Sequence, residues 1–505
     1  MTTAETKAGT PLFDGPEWTF ELMGKARDVI EEIALNDLGL DIYPNQIEII
    51  SAEQMLDAYS CAGMPLMYQH WSFGKHFVRD ETLYRTGRQG LAYEIVINSN
   101  PCISYNMEEN TMAMQTLVMA HAAFGHNHFF KNNYLFKQWT DADGIHDYLA
   151  FAKNYIAACE ERYGIDAVEE VLDAAHALQA QGVFRYGRPP KPTMEEQQAM
   201  QRVREGYESS QCVLDLWTDA TLGRRPEEYP AIDAGRSSRQ KAMNLPQENI
   251  LYFLEKHSPV LQAWQKEILR IVRSHAQYLY PQKQTKVMNE GCATFVHYYI
   301  ISKLHDEGRI TQGAFMEMMH SHTNVVLQPE YDDPRYSGIN PYALGFAMMQ
   351  DIRRICENPT EEDRDWFPDF AGNPDWRGVL RDAWENYRDE SFIQQFLSPN
   401  LIRKFKLFTL VDDEEQPNLV VGQIHNRAGY KAIRRDLAHS YDIAYLEPDI
   451  QVTDADLKGD RELILTHTVR DGIHLNEDDK EEVLKHLRQL WGYDVSMTAV
   501  DAKPS

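Results

Sequence analysis

Met107-Glu-Glu-Asn-Thr-Met-Ala-Met-Gln-Thr-Leu-Val-Met-Ala-His121-Ala-Ala-Phe-Gly-His126-Asn-His128-Phe-Phe-Lys-Asn-Asn-Tyr-Leu-Phe136 sets the frame for reading the chain. Apolar residues recur at helical spacing through Met112, Leu117, Val118 and Phe124, which predicts a helix over this segment. The segment is largely apolar, so the helix is expected to be buried. It nevertheless carries His121, His126 and His128, with the acidic pair Glu108 and Glu109 at its start. Buried polar groups need partners. These imidazoles therefore call for an ion, a carboxylate or a ligand.

A later stretch, Val287-Met-Asn-Glu-Gly-Cys-Ala-Thr-Phe-Val-His-Tyr-Tyr-Ile300, supplies a carboxylate. Glu290 and His297 lie seven positions apart, which puts them within about 20° of each other on one helix face. An Asn-Glu-Gly-x-Ala helix that follows a two-histidine helix resembles the third-ligand helix of gluzincin metallopeptidases. The resemblance implies a divalent ion, zinc first, held by His121, His126 and Glu290, with His297 on the same face. The spacing departs from the H-E-x-x-H pattern, in which the histidines are four apart with a glutamate base between them. Here they are five apart, and the residue after His121 is Ala122. Five positions of regular α-helix separate two side chains by about 140°. A π-type turn would align them, and Gly125 would permit one. The alternative pair is His121 and His128, seven apart on one face of a straight helix. With the usual base missing, the candidates for catalytic groups are Glu108, Glu109 and His322, the last on a helix expected over 311–322.

Longer strings carry a second resemblance. They include Tyr43-Pro-Asn-Gln-Ile-Glu48, His70-Trp-Ser-Phe-Gly-Lys75, Tyr93-Glu-Ile-Val-Ile-Asn-Ser-Asn-Pro101 and Ala120-His-Ala-Ala-Phe-Gly-His-Asn127. Others are Phe129-Phe-Lys-Asn-Asn133, Met288-Asn-Glu-Gly291, Ser321-His-Thr-Asn-Val325, Gly338-Ile-Asn-Pro-Tyr342 and Asp351-Ile-Arg-Arg354. In this order, and nearly end to end, the chain resembles the SpoVR family, stage V sporulation protein R and its relatives in bacteria that do not sporulate. The resemblance implies a link to sporulation or stress response and places His121, His126 and Glu290 in a family motif. The expected activity is that of a metal-dependent hydrolase acting on a peptide or cell-wall precursor. Two other readings stand beside it. Two histidines and a carboxylate equally suit a non-haem iron enzyme. The family's association with a PrkA-type serine protein kinase implies a non-catalytic scaffold or regulator in a complex with such a kinase.

Composition bounds the alternatives. The 505 residues include 50 basic and 77 acidic side chains, for a formal net charge of −27. Such a chain is poorly suited to general nucleic-acid binding, which depends on Lys and Arg neutralising phosphates. Six scattered cysteines without a C-x-x-C pair read as reduced thiols, and with an N-terminus lacking an apolar signal core they predict a cytoplasmic protein. No run of about 18 apolar residues predicts a membrane span.

In order, the chain predicts an amphipathic helix over 16–38, an extended piece at 46–50 and a helix over 51–60 capped by Ser51. Next come an aromatic cluster at His70–Phe77 and a strand over Leu91–Asn98. Helices are expected over 139–185, 194–218, 249–279 and 342–356, with prolines marking loops at 185–193 and 328–342. From 405 onward the pattern becomes β-β-α-β-β-α. The expected fold class is α+β: a mostly α-helical N-terminal domain over 1–402 with the gluzincin-like two-helix His/Glu site, and a small C-terminal α+β domain over 403–505.

Overall fold

The computed structural model describes residues 9–60, 68, 70, 71, 94–185, 240, 243–408, 410, 411, 420, 421, 425–457 and 459–502. The loop at 186–193, the helix at 194–218 and nearly all of the His70–Phe77 cluster lie outside them. The fold is mostly helical, with a small α+β part at its C-terminal end. Contacts group the chain into two units, one formed by Met1–Ala157 and Tyr278–Asp442, the other by Ala158–Gln277 and Ile443–Ser505.

The first unit is built on a three-stranded sheet of β1 (Asn45–Ile50), β2 (Glu94–Ile97) and β3 (Cys102–Met107), in the order β1-β3-β2. β1 runs parallel to β3 and β2 antiparallel to it. One sheet face, with Ile95, Ile97, Ile103, Tyr105 and Met107, packs under the helix Ala52–Ser60. On the other face Glu94 stands opposite Asn106, so both side chains point to the same side.

Strand β3 was not expected, and it corrects the start of the histidine helix. Met107 ends β3, and the helix begins at Met112 because the Thr111 hydroxyl accepts the Met114 amide at 3.1 Å. Residues Met112–Val118 and Asn127–Asn132 are α-helical, whereas Met119–His126 between them is π-helical. The wider turn falls in the interval that five-residue spacing requires if His121 and His126 are to share a ligand.

Beside this segment runs the Glu290 helix, Lys286–Asp306, of which 13 residues are buried. Two close approaches fix it. A Cβ on Gly125 would lie 2.5 Å from Ala293 Cα, so the histidine helix packs backbone to backbone at that point. On another side, a Cβ on Gly345 of the helix Pro341–Glu357 would lie 2.1 Å from the Val287 carbonyl and 2.8 Å from Gly291 Cα. Asp389, 1% exposed, caps the Glu290 helix by accepting the Val287 and Met288 amides at 2.8 and 2.9 Å. The core continues through Phe295, Ile300, Leu344, Met348, Ile352, Trp384 and Phe392.

In the second unit, β6 (Asp449–Ala455), β7 (Leu463–Val469) and β8 (Val495–Asp501) form a sheet in that order, β6 antiparallel and β8 parallel to β7. Strand β8 was not expected. The short pair β4 (Leu410–Val411) and β5 (Val420–Val421) belongs to the first unit's sequence. Val452 bridges to Gln247, Trp491 packs on Phe253 with ring centroids 5.9 Å apart, and the Ser258 hydroxyl donates to the Leu490 carbonyl. These contacts explain why 158–277 groups with the C-terminal strands. Expressed alone, residues 403–505 should expose the Trp491 ring, and their near-ultraviolet circular dichroism should be weak. A native-like aromatic signal would show that the fragment is self-sufficient. Among the described residues no helix is long and apolar enough to cross a membrane.

Candidate metal centre

The π-helical turn brings the two histidines together, with ring centroids 4.7 Å apart and planes at 89°. His126 Nε2 lies 3.5 Å from Glu290 Oε2. His121 Nε2 lies 3.9 Å from the same oxygen and 3.6 Å from Glu94 Oε1. Among the described residues, ligand atoms of Glu94, His121 and His126 fall within 4.8 Å of one another. Carboxylate oxygens from two other elements thus lie within 4 Å of the two imidazole Nε2 atoms.

The outer side of this cluster orients the rings. His126 Nδ1 donates to Asn289 Oδ1 at 2.9 Å, which leaves Nε2 with its lone pair toward Glu290. Phe130 stacks on the His126 ring at 5.7 Å. His121 Nδ1 meets His297 Nδ1 at 2.9 Å, and His297 Nε2 meets His322 Nδ1 at 2.8 Å.

Burial, and then the Glu290 carboxylate, push the Glu94 carboxyl up to about 8. Burial, followed by the neighbouring His126 and His297, holds His121 well below the usual histidine range. His297 is lowered in the same way, by burial and then by His322 and His126. His322 falls to about 4, again through burial. His121, His297 and His322 are therefore neutral at pH 7. Glu290 Oε2 is buried without a hydrogen bond. A buried carboxylate oxygen with no donor is costly, and a metal ion is one of the few groups that repays it. The donor set of imidazole nitrogen and carboxylate oxygen suits a divalent transition metal.

The structure places His121 and His126 within 4 Å of Glu290. His297 is one ring removed, since its near nitrogen faces His121 and not the cluster. His322 stands at the far end of the imidazole row. Glu108 and Glu109 are exposed in the turn after β3, and Glu109 accepts the Ala52 amide at 3.4 Å, so neither reaches the cluster. Their expected place on the helix followed from reading Met107 as helical. His128 points elsewhere: its Nδ1 accepts the Asp41 amide at 3.0 Å, and burial lowers it to about 4. Sequence reasoning missed Glu94 as a site residue, although the strand over Leu91–Asn98 holds a single acidic side chain in an apolar run. It also missed Asn289, whose signal was adjacency to Glu290.

Comparison with known proteins accounts for nearly the whole chain. The family described as SpoVR like protein matches residues 17–446, and the SpoVR-like C-terminal domain matches residues 448–502. The protein YcgB of Escherichia coli (strain K12), described as uncharacterized, is 55% identical over 491 residues, covering 97% of this chain and 94% of its own length. No solved structure matches.

Proposed function

We infer that this chain, which belongs to the SpoVR family, is a metal-dependent hydrolase with a divalent ion held by His121, His126 and Glu290 and flanked by Glu94. The observation that carries the reading is the buried, donor-less Glu290 Oε2 facing the Nε2 atoms of His121 and His126. An ion there would polarise a substrate carbonyl and lower the pKa of a bound water. The chain's own groups do the rest. Asn289 orients His126, and the π-turn aligns both histidines. Asp389, pushed up to about 7 mainly by burial, holds the first turn of the Glu290 helix in place. In the metal-free chain Glu94 holds a proton near neutral pH beside the cluster.

An amide of a peptide or cell-wall precursor is the substrate class to test. Zinc-loaded protein should release amine from short peptides, and neither Glu290→Gln nor chelated protein should. Tight metal binding without hydrolysis of any amide or ester would remove the hydrolase reading and leave the metal site. Two histidines with a carboxylate also suit iron(II), and the metal recovered from native protein separates the two chemistries.

The raised Glu94 carboxyl makes metal binding pH-dependent. Below about 8 this group is protonated in metal-free protein and must lose its proton to face a cation. Apparent zinc affinity should therefore rise with pH by roughly tenfold per unit between about pH 6 and 8, then level off. Calorimetry in buffers of different ionisation enthalpy would count the released proton. A flat profile would exclude Glu94 from the site.

A further inference from the structure

We propose that His297 and His322 are positioning residues that lock His121 into its Nδ1–H tautomer, so that its Nε2 lone pair faces the carboxylate cluster. This inference rests on the metal-binding reading. Three imidazoles stand in series, His121 Nδ1 to His297 Nδ1 at 2.9 Å and His297 Nε2 to His322 Nδ1 at 2.8 Å. All three are buried, at 5%, 1% and 4% exposure. A neutral imidazole has one N–H and one lone pair, so each ring can pass on only one direction of donation. The row therefore has two states. In one, His121 Nδ1 donates to His297, and His297 Nε2 donates to His322. In the other, both bonds reverse and His121 carries its proton on Nε2.

Geometry selects the first state. A proton on His121 Nε2 would find Glu94 at 3.6 Å and Glu290 at 3.9 Å, both beyond hydrogen-bond reach. His126 shows the same orientation, with Nδ1 committed to an acceptor and Nε2 left for the cluster. An acceptor behind a ligating histidine sets its tautomer. Here the acceptor is itself a histidine, so its own proton must be held on the far side. His322 Nδ1 does that. The ring of His322 is fixed in turn by Tyr298 and Phe346, with centroids 5.0 and 4.9 Å away. The row thus extends control of His121 across the Glu290 helix to the helix Gln312–Val325.

Nitrogen-15 NMR of histidine rings in the metal-free full-length chain reads the tautomers directly. We expect protons on His121 Nδ1 and His297 Nε2, and none on His121 Nε2. His322→Phe removes the last acceptor, so the His297 and His121 signals should shift toward the reversed state. Zinc affinity should then fall by about 10- to 100-fold, the range for losing an outer-shell partner. His322→Asn supplies an amide oxygen as acceptor and should restore both the tautomers and the affinity. A proton on His121 Nε2 in the wild-type chain overturns the proposal, even if His322→Phe fails to fold. So does an affinity loss in His322→Phe with unchanged tautomers. Correct tautomers in a chain that binds no zinc would leave the row standing and remove the metal reading.

Discussion

Replacing His126 with alanine should abolish retention of a divalent ion, whereas His128→Ala should leave most of it bound. The two positions are separated by one residue, yet the structure sends them to different tasks. His126 presents Nε2 to Glu290 at 3.5 Å and anchors Nδ1 on Asn289. His128 accepts the Asp41 amide, meets the Asn132 side chain at 3.1 Å and packs edge-on against Trp384. Loss of an outer-shell group already costs about 10- to 100-fold in metal affinity. Loss of a direct ligand should exceed that range. His128→Ala should cost stability instead, because it leaves the Asp41 amide without its acceptor, a penalty of about 1–3 kcal/mol. Metal content and thermal unfolding of the two variants would separate the effects. If His128→Ala lost its metal and His126→Ala kept it, the straight-helix pairing of His121 with His128 would be the correct one.

The largest effect on stability should come from Gly345→Ala. The added methyl would sit 2.1 Å from the Val287 carbonyl and 2.8 Å from Gly291 Cα. Both are backbone atoms, so neither a rotamer change nor a flexible side chain can relieve the overlap. Overpacking typically costs 1–3 kcal/mol where side chains can adjust. A backbone–backbone clash in the centre of the core should exceed about 3 kcal/mol. The two helices must move apart, and the first turn of the Glu290 helix moves with them. Gly345→Ala should therefore weaken both the fold and the metal site. An unfolding free energy within a few tenths of a kcal/mol of wild type would show that the helices separate freely.

Much of this arrangement was legible in the sequence because it rests on periodicity and composition. The five-residue spacing of His121 and His126 does not suit a regular α-helix, and the segment is π-helical over Met119–His126. Glu290 was singled out by the resemblance of its Asn-Glu-Gly-x-Ala helix to a gluzincin third-ligand helix and by the face it shares with His297. The part that escaped reading depends on partners distant in sequence. Strand β3, Cys102–Met107, is buried on both faces and shows no alternation, so its register with β1 and β2 was invisible. Without β3, Glu94 could not be placed opposite Asn106 and near His121. The same gap put Glu108 and Glu109 on the helix and made them candidates for the base. His297 shares a helix face with Glu290, but sharing a face did not reveal that His121 Nδ1 would stand between it and the cluster. Likewise, the grouping of 158–277 with the C-terminal strands follows from long-range packing of Trp491 and Val452. Composition alone carried no sign of it.

Elemental analysis of the purified full-length chain, with Glu290→Gln prepared in parallel, tests the central claim most directly. If Glu94, His121, His126 and Glu290 form a metal centre, the wild-type chain should carry about one divalent ion, as isolated or after incubation with zinc or iron(II) and desalting. Glu290→Gln should carry little or none while keeping its circular dichroism. A wild-type chain that retains no metal under either condition, or a Glu290→Gln chain that retains as much as wild type, would contradict it.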